Sequence, residues 1–148
     1  MGKYGEKAKA LFTEGYNCAQ AVFAAFSDVT GIESETSFKL SSGFGGGMGR
    51  MREVCGAVSG MFMVLGAVEG YTSPTDNAEK MELYAKVQKL AEKFKTENGS
   101  IICRELLGGS PSSTPVPSER TAEYYQKRPC GELVEIAADI VADYLGVN

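Results

Sequence analysis

Tyr4, Ala8, Leu11 and Phe12 recur at i, i+4, i+7 and i+8, the spacing of one helical face, so the chain opens with an amphipathic helix that ends near Gly15. Asn17 has the character of an N-cap, and Cys18, Val22, Ala25 and Phe26 repeat the same spacing up to the Asp28 to Gly31 region. Ser34 or Thr36 starts a short third helix over Phe38 and Leu40. The segment SSGFGGGMGR then breaks regular structure, with five glycines between Gly43 and Gly49. A fourth helix is expected from about Met51 to Glu69, with Cys55, Val58, Phe62 and Leu65 on one stripe. Its Gly56 and Gly60 permit close approach of a neighbouring backbone, within one chain or between subunits of a homo-oligomer. Ser73 to Asp76 forms a turn and cap for a fifth helix, whose stripe of Leu83, Val87, Leu90, Ala91 and Phe94 ends at Asn98-Gly99. Cys103 to Leu107 reads as a short helical segment, SPSSTPVPS as a surface connection, and a last helix begins near Pro129 with Cys130, Leu133, Val134, Ala137, Val141 and Tyr144 on one face. No stretch alternates with period two for long enough to argue for a sheet. The expectation is one all-α domain over residues 1–148, a bundle of about six helices around the glycine-containing central one.

Composition narrows the chemistry. The 148 residues carry a net charge of −4, which disfavours nucleic acid as a partner. The longest apolar run, Cys55 to Val68, is 14 residues long and interrupted by Ser59 and three glycines, too short for the roughly 20 that cross a bilayer. No signal-peptide core follows the charged N-terminus, so no membrane partner and a cytoplasmic location are expected. There is no histidine, which removes Ser-His-Asp and Cys-His catalysis and every histidine-ligated metal. Four cysteines remain as the strong nucleophiles and soft metal ligands.

Those cysteines are separated by 36, 47 and 26 residues, so there is no CxxC, no zinc-finger pair, no ferredoxin run and no haem-attachment sequence. Their regularity is positional. Cys18, Cys103 and Cys130 fall in or just before the first turn of a helix, and Cys55 in the second turn of the central one. A helix N-terminus favours a thiolate, which both metal binding and disulfide exchange require. Arg50, Arg52, Arg104 and Arg128 lie within a few residues of a cysteine and can offset its charge. Each apolar face points into a shared core, so at least three of the cysteines should lie within reach of one centre.

The loop from Gly43 to Arg50 matches no nucleotide-binding fingerprint. Gly45, Gly46, Gly47 and Arg50 are candidates for an anion-binding nest beside Cys55, with a tight helix connection as the alternative. Met48, Met51, Met61 and Met63 are expected to fill the core rather than bind metal, and Tyr124-Tyr125 to pack or lie at the surface.

Cys18 in NCAQAV, the glycine-rich segment leading into VCGAVSG, Cys103 in CRELLG and Cys130 in RPCGELV resemble the C_GCAxxG_C_C family of redox-active proteins, from about Lys7 to Leu145. The signature stands here as Cys55-Gly56-Ala57-Val58-Ser59-Gly60. The resemblance implies redox activity. Related domains in split-Soret cytochromes accompany haem and an iron-sulfur centre; the haem does not carry over, because its attachment sequence is missing. Three readings follow. Cys18, Cys55, Cys103 and Cys130 ligate an iron-sulfur cluster, most simply [2Fe–2S], for electron transfer to an unknown redox partner. Alternatively, Cys18 and Cys55 are the catalytic pair of a thiol-disulfide oxidoreductase that needs no cofactor. In the third, the cysteines hold structural zinc or only fill the core.

Overall fold

The computed structural model describes residues 2–148, and its regular elements are helical. Helix α1 (Lys3–Thr13) buries Tyr4, Ala8 and Phe12 of the expected stripe. Helix α2 (Cys18–Ala25) starts in a full capping box: Asn17 Oδ1 accepts from the Gln20 amide, and Gln20 Oε1 accepts from the Asn17 amide. The Asn17 side-chain amide also donates to Ser42 O, tying the start of α2 to the glycine-rich segment. A single turn, α3 (Ser27–Thr30), closes on Gly31 at φ 76° and is followed by α4 (Ser34–Ser41).

The glycine-rich segment forms a 3-10 turn at Ser42–Phe44 and one helical turn, α5 (Gly45–Met48), in which Gly46 and Gly47 are left-handed at φ 67° and 70°. The central helix, α6 (Gly56–Glu69), starts five residues later than the pattern predicts. Met48, Arg50 and Arg52 all have positive φ (66°, 66° and 61°), so the chain cannot be right-handed helix there. It runs instead as an irregular strap whose Val54 makes an isolated antiparallel bridge with Ile102. Met51, expected in the core, is therefore exposed at 62%, whereas Met61 on α6 is fully buried.

Helix α7 (Asn77–Asn98) begins at the Asp76 cap, ends at left-handed Gly99 and buries only Leu90 and Phe94. Then come α8 (Cys103–Leu107), α9 (Ala122–Lys127) and α10 (Cys130–Leu145). Helix α9 lies between the proline-rich connection and the last helix, where no helix was expected; Thr121 caps it by accepting from the Tyr124 amide. The all-α expectation holds, but among the described residues the helical ones are divided among ten α segments rather than about six. Among the described residues no helix is long and apolar enough to cross a membrane.

Helix α2 is the floor on which the others meet: α1, α4, α6 and α10 all pack against it, and α10 also covers α1 and α6. Two glycines set the α2–α6 separation. A Cβ on Gly60 would lie 2.9 Å from both Ala19 O and Val22 Cβ, and one on Gly56 would lie 3.0 Å from Phe44 O and 3.1 Å from the Ala19 amide nitrogen. The helices approach as closely as glycine allows, which is the use the sequence suggested for them within one chain. Gly60→Ala should therefore destabilise the protein by about 1–3 kcal/mol, through overpacking that outweighs alanine's better helix propensity. Urea unfolding of the two proteins measures the difference.

Candidate functional site

Each of the four cysteines stands at the first position of a helix or its cap. Cys18 opens α2, Cys103 opens α8, Cys130 opens α10, and Cys55 is the residue that caps α6. Cys55 thus joins the other three at a helix N-terminus rather than lying one turn inside. All four line one cavity of about 570 Å³, together with the glycines of α5.

The bridge between Val54 and Ile102 places two of them. Cys55 N–H donates to Ile101 O at 2.8 Å, and Cys103 N–H donates to Glu53 O at 2.6 Å. Side chains alternate across such a ladder, so the residues following the bridged pair share the face opposite Val54 and Ile102. Cys55 and Cys103 therefore face the same way, at diagonal rather than directly opposed positions. The other two open α2 and α10, which pack against each other, and Cys18 and Cys130 are each the largest influence on the other's titration.

The four sulfurs do not close around a single point. Among the described residues no group of three or more Cys, Asp or Glu side chains is placed to hold one metal ion, so the expected common centre for three cysteines is not formed. The cysteines come from four separate helix starts arranged around one cavity, so no three of them converge on one point.

Nor do helix N-termini make them uniformly acidic. The hydrogen bond with Cys18 brings Cys130 down to about 7, helped by Arg128, Arg120 and Arg52 against the opposing effect of burial. The same bond, with burial next, pushes Cys18 well up, because its proton is the one shared. Burial pushes Cys55 up to about 12, although the amides of Ala57 and Val58 favour its thiolate.

Four arginines, Arg50, Arg52, Arg120 and Arg128, share the cavity wall with the cysteines. Arg52 is 5% exposed; its Nε donates to Ser112 O at 2.9 Å and its Nη1 to Cys103 Sγ at 3.7 Å. Arg50 Nε donates to Thr114 O and its Nη1 to Ser118 Oγ. These bonds strap the proline-rich connection across the cavity, where Pro115 and Pro117 become part of the wall. Arg120 donates to Phe12 O and Tyr16 O while stacking over Phe12, 4.2 Å from the ring centroid. Tyr124 also lines the cavity and lies under both Arg120 and Arg128.

The structure thus gathers the sequence candidates Cys18, Cys55, Cys103, Cys130, Gly45, Gly46, Gly47 and Arg50 around one space. Arg104 goes elsewhere, pairing with Glu53 at 3.1 Å. Sequence reasoning missed Arg120 and the tyrosine beneath it, since Arg120 sits in a stretch without periodicity, ten residues before the nearest cysteine.

No curated protein and no solved structure matches the chain. A family model described as "Putative redox-active protein (C_GCAxxG_C_C)" does, over residues 16–144, a span that contains all four cysteines and three of the helices that carry the α2 packing. The chain belongs to the C_GCAxxG_C_C family.

Proposed function

We propose that the cavity is an electron-transfer centre in which Cys18, Cys55, Cys103 and Cys130 hold a [2Fe–2S] cluster. The observation that carries this reading is that the four thiols of the chain, scattered in sequence, all line one cavity whose charged side chains are arginines. A structural zinc ion needs about four ligands around a single centre, and no three are so placed. A binuclear cluster takes two thiolates on each iron. Cys18 with Cys130, whose helices pack together, and Cys55 with Cys103, which flank the bridge, would be the two pairs.

When bound, such a cluster supplies one-electron transfer. The chain's own residues do the rest. Arg52 at Cys103 and Arg128 near Cys130 offset thiolate charge. Burial keeps Cys55 protonated until it is ligated, so cluster uptake releases protons and weakens as pH falls.

A second reading is favoured by the interaction of Cys18 with Cys130, each the largest influence on the other's titration, whereas Cys55 acts on Cys18 only through its charge. In thiol-disulfide exchange, the Cys130 thiolate would attack a substrate disulfide and one substrate thiolate would leave, taking up a proton. Cys18 would then lose its proton, attack the Cys130 sulfur and release the second substrate thiol, leaving a Cys18–Cys130 disulfide.

Anaerobic purification with iron and acid-labile sulfide analysis tests both. The expected result is a coloured protein with about two iron and two sulfide per chain. Cys55→Ser should bleach it, while Met61→Leu, a volume-conserving core change, should leave the spectrum intact. A colourless protein in which mild oxidation joins Cys18 to Cys130 would replace the first reading by the second. A colourless, metal-free protein whose Cys18 and Cys130 fail to pair would overturn both.

A further inference from the structure

We infer that the cysteine cavity also contains an oxyanion subsite, centred on Arg52 and flanked by Arg50 and Arg128, that binds a small anionic molecule beside Cys103. That this molecule is a redox substrate rests on the redox-centre reading above; that it binds does not.

The first observation is an unspent donor. Arg52 is 5% exposed, and its Nε and Nη1 are held by Ser112 O and Cys103 Sγ, so its guanidinium plane is fixed. Its Nη2 is buried without a hydrogen-bond partner. A buried N–H of a charged group left unpaired is costly, and a ligand atom is the direct way to satisfy it.

The second observation is the sign of the wall. The protein has a net charge of −4 and 19 acidic residues, yet among the described residues four arginines and no carboxylate line this cavity. Among the described residues the ion pairs of the chain engage Lys39, Lys86, Arg104 and Lys127, and none engages Arg50, Arg52, Arg120 or Arg128. Arg50 titrates below the usual guanidinium range, because burial and then Arg52 and Arg128 disfavour its charge. An anion between these groups removes the repulsion and supplies the missing counter-charge.

Space and chemistry complete the case. At about 570 Å³ the cavity is in the range of small-molecule sites, roughly 300–1,000 Å³. The planar guanidinium fork matches carboxylates and tetrahedral oxyanions alike. Since Arg52 Nη1 touches Cys103 Sγ at 3.7 Å, an anion on Nη2 lies next to the thiol site rather than at a remote patch.

The test is thermal stability against sulfate, with chloride at matched ionic strength as reference, for the reduced metal-free protein and the cluster-loaded protein. Sulfate should stabilise both preparations saturably. Arg52→Gln should weaken the effect roughly ten- to hundredfold, the worth of a charged hydrogen bond. Because Arg52 is buried and could be needed for folding, Arg128→Gln, which breaks no hydrogen bond of the structure, serves as the second variant and should weaken it too. Lys93→Gln on α7, outside the cavity, should bind like the wild type. Stabilisation by acetate instead of sulfate would assign the same subsite to a carboxylate-bearing ligand. The inference is overturned if neither anion exceeds chloride, if Arg52→Gln and Arg128→Gln both bind as tightly as wild type, or if binding disappears on cluster loading, since the arginines would then be serving the cluster alone. A colourless protein that binds sulfate sinks the cluster and keeps the subsite; a coloured protein that fails to bind sinks only the subsite.

Discussion

In the reduced, metal-free protein, iodoacetamide should label Cys130 first, with a rate that rises through a midpoint near pH 7, while Cys55 stays unlabelled over the same period. With Cys130 at about 7 and Cys55 at about 12, the thiolate populations at neutral pH differ by on the order of 10⁴- to 10⁵-fold. The less basic thiolate is the weaker nucleophile, which returns about a hundredfold and leaves a rate ratio on the order of a thousand. Mass mapping of labelled peptides across pH 5 to 10 measures it. Cys18→Ala should move the Cys130 midpoint up, because the hydrogen bond with Cys18 is the largest cause of its depression. Equal labelling of both cysteines at pH 7 would contradict the proposed electrostatics of the cavity.

The same two groups bend the stability curve in opposite directions. Cys130 is lower in the folded state than in the unfolded chain. Its contribution is present above the ordinary thiol range and is lost as pH falls through about 7. Cys55 is higher when folded, so its contribution holds below the ordinary value of 9.0 and is lost as pH rises towards about 12. Unfolding midpoints of the metal-free protein should therefore decline on the alkaline side, and Cys55→Ser should flatten that decline.

What could be read along the chain was whatever a short window decides. The Asn17 cap, the Asp76 and Gly99 limits of α7, and the stripe of α10 each rest on residues within a turn or two of one another, and they stand where their spacing places them. The start of α6 could not be read that way. Met51 continues the apolar spacing, but the left-handed backbone at Arg50 and Arg52 and the bridge to Ile102, 48 positions further along the chain from Val54, override it. Long-range pairing decides where that helix begins, and with it whether Cys55 caps the helix or lies inside it.

The candidate site divides along the same line. That Cys18, Cys103 and Cys130 begin helices is local information; that all four cysteines and four arginines share one cavity depends on α10 packing over α1 and α2 and on Arg50 and Arg52 tying back the proline-rich connection. Arg120 shows the limit best. Nothing near it in sequence marks it, yet its guanidinium bonds carbonyls of Phe12 and Tyr16, more than a hundred positions away, and so fixes one wall of the cavity.

Gly47→Val should be the most damaging single glycine substitution at the site, and Gly66→Ala should have the opposite sign. At Gly47 a Cβ would stand 2.6 Å from Cys103 Cβ and 2.8 Å from both Arg52 Cα and the Glu53 amide nitrogen, so part of the obstruction is backbone that cannot swing aside. The residue also sits at φ 70°, where an L side chain costs roughly 1–2 kcal/mol, and a β-branched one fits worst. Adding about 1–3 kcal/mol for overpacking gives an expected loss of about 2–5 kcal/mol. The damage should also be chemical, because relief of the clash moves Cys103 away from the cavity and breaks the Glu53 amide bond to Gly47 O, 2.9 Å long. Gly66 lies inside α6 with ordinary helical backbone and nothing within 4 Å of its would-be Cβ. Alanine there should stabilise by about 0.5–1 kcal/mol without touching the cavity. Urea midpoints, together with the iron content expected of the proposed cluster, separate the two: Gly47→Val should lose both stability and that iron, and Gly66→Ala should gain stability with the iron unchanged. A Gly47→Val protein that keeps a full complement of iron would mean that Cys103 is not a ligand held by this packing.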